Sequence, residues 1–311
     1  MKKDFDRYSN VCEYIDRAGL NELSSYYHNK KVLVTGGAGA IGSNLIIFIS
    51  RLVGPKGKVV ILDNLSSSKV QEPWNVLNLE NVLFVKGDVR NKIDLERCFR
   101  DGIDIVFHLA AFFANQNSID YPYLAAEVDI LGLLNLLEIS NLCKVDKLIY
   151  SSSGSSVYGL KPKLPIIEEA YSLSLSTPYQ VNKIAGEMYC NFYNLHYGLK
   201  TVNCRFFSSY GPGEIPGMYR NVIPNFIYWK IHGKPLPLTG TGEESRDFTY
   251  VLDLCQGLIK ASVENKAIGK SFNLSSSKEI KISDLAKNLS IISKTDNKII
   301  IKERRKWDTK D

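Results

Sequence analysis

Tyr179 and Lys183 stand four residues apart in Tyr179-Gln-Val-Asn-Lys183, directly after Pro178. On a helix that spacing puts a phenol and an ammonium on one face, where they can converge on one spot. An unperturbed phenol titrates near ~10 and is a poor base at neutral pH. A neighbouring cation favours the phenolate and lowers that value. The pair could then draw a proton from an alcohol while hydride leaves the carbon that bears it. Tyr and Lys at this separation also occur by chance on many helices, so the pair counts only in company.

Thr35-Gly-Gly-Ala-Gly-Ala-Ile-Gly42 contains both Gly37-x-Gly39-x-x-Gly42 and Gly36-x-x-Gly39-x-x-Gly42. Glycines at these steps permit a tight turn, admit a pyrophosphate to the backbone and let helix pack on strand. The helix that follows would offer free N–H groups and a partial positive charge to phosphates. Asp63 lies 21 positions beyond Gly42, where a carboxylate can bond the adenosine ribose hydroxyls. No Arg follows it directly, which favours NAD over NADP, and an oxidised nicotinamide ring would join Lys183 as a cation that favours the Tyr179 phenolate. Asp88-Val89 would flank the adenine. Hydroxyls come from Tyr150-Ser-Ser-Ser153, expected at the mouth of a strand, and from Gly154-Ser-Ser-Val-Tyr-Gly159. At least two of these five serines would merely cap the strand end.

The elements that must position these residues alternate. Lys31–Thr35, Lys58–Asp63, Leu83–Lys86, Ile103–Leu109, Lys147–Tyr150 and Thr201–Phe206 read as buried strands. Ile41–Leu52, Asp94–Phe99, Leu124–Cys143 and Lys183–Tyr197 read as helices between them. Continuous apolar strands alternating with helices mean a parallel sheet covered on both faces. The fold expected is therefore α/β, a Rossmann-type doubly wound sheet over residues 31–210. After Tyr210 the texture changes, with Pro212, Gly213, Pro216, Gly217, Pro224, Pro235 and Pro237 breaking the pattern. A smaller α/β substrate lobe, interleaved with the first, is expected over residues 211–311. Residues 1–30 read as a charged helical extension, with Val11, Tyr14, Ile15 and Ala18 at helical spacing and Gly19 to end the turn. Its role could be a lid, an interface or a plain appendage. The final Lys-Trp-Asp-Thr-Lys-Asp is an unusual place for a domain to end, so the lobe is expected to be cut short.

Composition excludes several classes. Apolar residues make up 44% and charged residues 23%, and the formal charge is +6, values of an ordinary globular chain. Lys and Arg are scattered apart from Lys302–Arg304–Arg305–Lys306, whereas a nucleic-acid binder gathers them into a stripe. The six cysteines lie far apart with no C-x-x-C pair, which argues against disulfides and a metal site and for a cytoplasmic protein. Met1–Lys30 lacks the apolar core of a signal peptide. Asn44–Val53, the most apolar stretch, is too short to span a bilayer.

Taken in order, the motifs carry a resemblance. They are TGGAGAIG at 35–42, LDN at 62–64, GDV at 87–89, HLAA at 108–111, SSS…VYG at 151–159 and YQVNK at 179–183. RFFSSYGPG at 205–213 and SRDFTYVLD at 245–253 follow. Over about Lys31 to Asp308 the chain resembles the extended short-chain dehydrogenase/reductases, the NAD-dependent sugar-nucleotide epimerase/dehydratase family. The resemblance implies catalysis by Tyr179, Lys183 and a serine hydroxyl that bonds the reacting alcohol. Counting outward from the strand selects Ser153; counting back from Val157 lands on Gly154, which keeps Ser155 open. It implies NAD contacts from Gly36, Gly39, Ala40, Ile41, Gly42, Asp63, Asn64, Asp88, Val89, Leu109, Ala110 and Ala111, besides Tyr179 and Lys183. Arg246 resembles a diphosphate-binding arginine and Arg305 a second one, though either would equally suit a surface ion pair. Asn221 resembles a residue that meets the diphosphate or sugar. Ser208 stands where many relatives carry Asn, which puts that substrate contact in doubt. Family members commonly form homodimers through two helices, here Ile130–Leu137 and the helix after Lys183.

The family spans epimerases, 4,6-dehydratases and decarboxylases. Dehydratases place Asp-Glu, and decarboxylases Glu, just before the VYG motif. Ser155 and Ser156 stand there instead, and cannot do general acid–base work near neutral pH. The chemistry the resemblance leaves is reversible oxidation at C4 of a nucleotide sugar, the UDP-hexose 4-epimerase reaction. Phe113 replaces a lysine found near the nicotinamide in some galactose epimerases, so UDP-linked glucose, N-acetylated and uronic-acid sugars stay open. A non-catalytic dinucleotide-binding protein is the alternative from another class, but such proteins typically lose the Tyr or the Lys.

Overall fold

The computed structural model describes residues 6–67, 78–159, 163–296 and 298–303. Six strands build the front of one sheet: β1 Lys31–Thr35, β2 Lys58–Asp63, β3 Val82–Lys86, β4 Ile105–His108, β5 Lys147–Ser153 and β6 Thr201–Phe206. The strand Ser271–Leu274 completes it in the order Ser271–Leu274, β6, β5, β4, β1, β2, β3, with every pair parallel. Helices on both faces explain why the central strands are apolar throughout: Val32, Leu33 and Val34 are all buried, on alternate faces. The order reverses between β1 and β4, which opens a crevice at the carboxyl ends of those strands, where such sheets bind ligands.

The helix Ala40–Val53 starts straight from the glycine turn and is buried almost all round. It is sandwiched between the sheet, the helix Val251–Val263 and the N-terminal helix Arg7–Arg17. Asp6 caps that last helix by accepting from the Tyr8 and Ser9 N–H groups, and Gly19 in the left-handed region (φ +67°) follows its end. Val11, Tyr14 and Ile15 enter the same apolar core as β1, and the Tyr14 hydroxyl donates to the Asp253 carboxylate.

Three expected elements differ. β5 runs on to Ser153 rather than ending at Tyr150, because β6 supplies Cys204, Arg205 and Phe206 as partners for Ser151, Ser152 and Ser153. β4 is shorter than expected, pairing with β1 only from Ile105 to His108. The expected helix Leu124–Cys143 starts at Pro122 and is interrupted by a wide π turn, Glu127–Leu131, before Gly132–Leu142. Asp129 lies in that turn, buried, its carboxylate accepting the Phe112 N–H. The helix that carries Tyr179 and Lys183 spans Pro178–Tyr197 and opens with a full capping box between Thr177 and Gln180.

Beyond Tyr210 the helices Val222–Ile231 and Ile282–Ser293 and two two-stranded pairings form the smaller lobe around Phe226, Leu236, Leu238 and Ala286. The chain returns to the main sheet through Val251–Val263 and Ser271–Leu274, so the two parts interleave. Among the described residues no helix is long and apolar enough to cross a membrane.

Candidate active site

Tyr179 and Lys183 do meet on one face of their helix. Lys183 Nζ donates to the Ser151 carbonyl at 2.8 Å and lies 5.5 Å from the centre of the Tyr179 ring. The Ser153 hydroxyl hydrogen-bonds the Tyr179 phenol, and Ser156 Oγ donates to Ser153 Oγ at 2.9 Å. The extension of β5 thus presents Ser151 to the ammonium and Ser153 to the phenol from one strand. Gly154 follows because Phe207 packs there: a methyl at that position would lie 2.1 Å from its ring. The Ser155 side chain lies outside the described residues.

Burial dominates the electrostatics of the pair. Burial pushes the Tyr179 phenol well above its ordinary value, Asp129 raises it further, and the Ser153 hydrogen bond offsets only part of this. Burial also pushes Lys183 down, opposed by Asp129, Glu187 and Cys190. Lys183 alone therefore does not make Tyr179 a phenolate, because both groups are desolvated and a buried carboxylate stands close by. His108, stacked on Tyr150 and bonded to Thr35 Oγ1, is held neutral, its value pushed down to about 3 by burial and by Lys183.

Asp129 was not among the expected site residues. It accepts from Phe112 N at 2.7 Å and from Asn182 Nδ2 at 3.3 Å, joining the π turn to the loop after β4 and to the Tyr179 helix. Burial raises its carboxyl, with Lys183 opposing. The one available signal was an acid inside the apolar run Val128-Asp129-Ile130-Leu131.

All fourteen positions expected to hold the cofactor line a single cavity together with Ser153, Ser208 and Asn221. Its cradle is backbone. Gly36 has φ +69°, and a methyl there would lie 2.6 Å from Ala110 N; at Gly42 it would lie 2.4 Å from Gly36 O. Asp63 accepts from Ala38 N at 2.9 Å and Leu65 N at 2.8 Å, which closes the glycine turn against β2. Burial raises its carboxyl, and these two N–H groups partly offset that. Asp88, at the far end, is opposed by burial, yet hydrogen bonds from Arg90 and Asn64 hold it down to about 2. A bare turn, an acid at the end of the second strand and a Tyr/Lys pair across the cavity fit a nicotinamide dinucleotide.

The substrate side departs from expectation. Arg246 lies in the strand Ser245–Asp247, outside the cavity lining, and donates to the Ser245 carbonyl at 2.6 Å. Arg305 lies outside the described residues. Arg220, which was not anticipated, lines the cavity and donates from Nη2 to the Ser67 carbonyl at 2.8 Å. Glu214 lines it too and accepts from Asn221 Nδ2 at 2.9 Å. Both sit in the Gly-Pro-rich stretch whose irregular spacing hides which side chains turn inward. Phe113 lines the wall beside Tyr179 and meets its ring edge to face at 6.1 Å.

Known proteins match this chain along most of its length. A model of the NAD dependent epimerase/dehydratase family matches residues 32–275. A solved epimerase from Methanothermobacter thermautotrophicus is 46% identical, covers 93% of this chain and 84% of its own, and superposes with a TM-score of 0.89. A putative UDP-glucose 4-epimerase of Methanocaldococcus jannaschii is 32% identical over 82% of this chain and 79% of its own length. A dTDP-D-glucose 4,6-dehydratase of Dictyostelium discoideum is 31% identical over 85% of this chain and 62% of its own length.

Proposed function

The chain belongs to the NAD-dependent epimerase/dehydratase family, with NAD as cofactor, and from that premise we propose that it is a 4-epimerase of a UDP-linked hexose. The observation that carries this reading is the convergence of Tyr179, Lys183 and Ser153 with, among the described residues, no carboxyl group beside them in the cavity wall. Among the described residues the carboxylates that line the cavity are Asp63, Asp88 and Glu214, on the glycine-turn side. Ser156, where an eliminating enzyme would carry an acid or base, is spent on Ser153.

Bound NAD supplies a hydride acceptor that becomes the donor for the return step. Tyr179 takes the proton of the C4 hydroxyl through its phenolic oxygen and gives it back. Ser153 orients that hydroxyl, and Lys183, held by the Ser151 carbonyl, adds positive charge under the phenol. The 4-keto sugar turns over between the two steps, with Ser208, just after β6, and Asn221 of the smaller lobe facing it. The UDP carrier is inferred from the named activity of the Methanocaldococcus relative. Arg246 stays a candidate diphosphate contact that would need to approach the cavity with substrate bound, and Arg305 stays a candidate from its place in the sequence.

Incubation with UDP-glucose, UDP-N-acetylglucosamine and UDP-glucuronic acid, each with NAD, followed by product NMR, tests the proposal. The expected product is the C4 epimer of one of them, with water and carbon dioxide retained. Loss of water or carbon dioxide would assign the chain to the dehydratases or decarboxylases of the family. No turnover of any of the three would overturn the UDP-hexose reading.

We also propose a homodimer through the Pro178–Tyr197 helix. Val181, Met188, Phe192 and Leu195 are exposed at spacings of seven, four and three along it, an apolar stripe of the kind that marks an interface. The expected second surface is narrower than Ile130–Leu137, because Leu133, Leu136 and Leu137 face the chain's own core and Leu131 is the exposed one. Light scattering should give twice the chain mass at micromolar concentration; the monomer alone would refute this interface. With all six cysteines free, a reducing compartment, the cytoplasm, is the proposed location.

A further inference from the structure

Glu214 is a carboxyl group where a dinucleotide's negative charge should sit. It shares the lining of one recess with Ala38, Gly39 and Ala40 of the glycine turn and with Arg220. Its two oxygens differ. Oε1 accepts from Asn221 Nδ2 at 2.9 Å. Oε2 is buried and, among the described residues, has no hydrogen-bond partner. An orphaned buried acceptor is costly, and it costs more when charged.

The charged groups around Glu214 do not remove that conflict. Arg220 stands in the same recess, its guanidinium donating to the Ser67 carbonyl. Asp63 lines the recess too, its oxygens already accepting from Ala38 N and Leu65 N. Arg7 of the N-terminal helix comes near Gly213 from behind, bonded to Ser43 Oγ at 3.3 Å. Beside a diphosphate, one arginine and two ionised carboxylates would leave Glu214 repelled by the ligand. A carboxylic acid has no such conflict: Asn221 fixes Oε1 as the acceptor, so the proton sits on Oε2, which then has a hydrogen to donate.

We propose that Glu214 binds the diphosphate of NAD as a neutral acid, Oε2–H donating to a phosphate oxygen, so that cofactor binding takes up a proton at this side chain. The cavity wall already favours that form: burial pushes the Glu214 carboxyl up to about 7, with Asn221 and Arg220 opposing. The bound state then holds more protons than the free state. NAD affinity is therefore greatest below about 7 and falls as pH rises through that value, by at most about tenfold per pH unit. The diphosphate of NAD does not itself titrate in this range, so the proton belongs to the protein.

Calorimetric titration of the nucleotide-free protein with NAD at pH 7.5, in buffers of low and high ionisation heat, counts the protons exchanged. The wild type should take up about half a proton per NAD, and its Kd should rise about tenfold between pH 6 and 9. Glu214→Gln keeps the acceptor for Asn221 and offers an amide N–H in place of the acid, so it should bind NAD with no proton uptake and a flat pH dependence. Zero uptake by the wild type would overturn the proposal without recourse to the variant. Uptake that persists in Glu214→Gln would overturn it as well, by placing the proton on another group.

Discussion

Tyr179→Phe should lower turnover by about 10²–10⁴, the range of a lost general acid–base group, while NAD binding changes little. The substitution removes one oxygen. The ring keeps its edge-to-face contact with Phe113 and its place in the helix, and the hydrogen bond lost is the one to Ser153. Losing a bond of that kind costs stability only about 1 kcal/mol, so the variant should fold and load cofactor. The pH profile makes the prediction sharper. Burial and Asp129 hold the phenol above its ordinary value, so the reactive phenolate is the scarce form, and wild-type kcat should climb as pH rises from neutrality. Whatever rate remains in Tyr179→Phe should lack that rise. Asp129→Asn removes the carboxylate that opposes phenolate formation, and should move the rise to lower pH. Full activity in Tyr179→Phe would remove the proposed mechanism and return the non-catalytic reading, whereas a lost rate with the rise intact would assign the titration elsewhere.

What the sequence made legible follows from how local each signal is. The glycine turn, Asp63 and the Tyr179/Lys183 pair are each written within a few neighbouring residues, and the sheet merely carries them to one crevice. β5 was misjudged because its last three residues are serines, poor strand formers that pair only because β6 runs on beside them. The influence of Asp129 on Tyr179 was not legible because Asp129 lies fifty positions upstream and comes near only through the π turn. Arg220 and Glu214 escaped for a related reason. A loop without periodicity gives no face to count from, so only the folded path shows which side chains turn toward the glycine turn.

Arg205→Met should destabilise the fold by about 3–5 kcal/mol, the cost of leaving a buried charge uncompensated. Arg205 and Glu187 are both fully buried, and their contact is bidentate: Nε donates to Oε1 at 2.9 Å and Nη2 to Oε2 at 2.7 Å. Glu187 stands four residues after Lys183 on the same helix, and it also accepts from Ser152 Oγ and from the Tyr171 hydroxyl. Arg205, on β6, reaches the Tyr158 hydroxyl and the Glu168 carbonyl. The pair thus ties the helix that carries Lys183 to β6, the strand paired with the one that carries Ser151 and Ser153, and the effect should reach the site. At about 2–4 °C per kcal/mol for a chain of this class, thermal unfolding should fall by roughly 6–20 °C. Glu187→Gln combined with Arg205→Met neutralises both partners and should recover much of that loss, giving a large coupling energy in the double-mutant cycle. Additive losses would mean that the two charges stabilise the fold independently. An unchanged melting temperature in Arg205→Met would mean that the serine and tyrosine hydroxyls alone can hold Glu187, and that the link between helix and strand rests on packing.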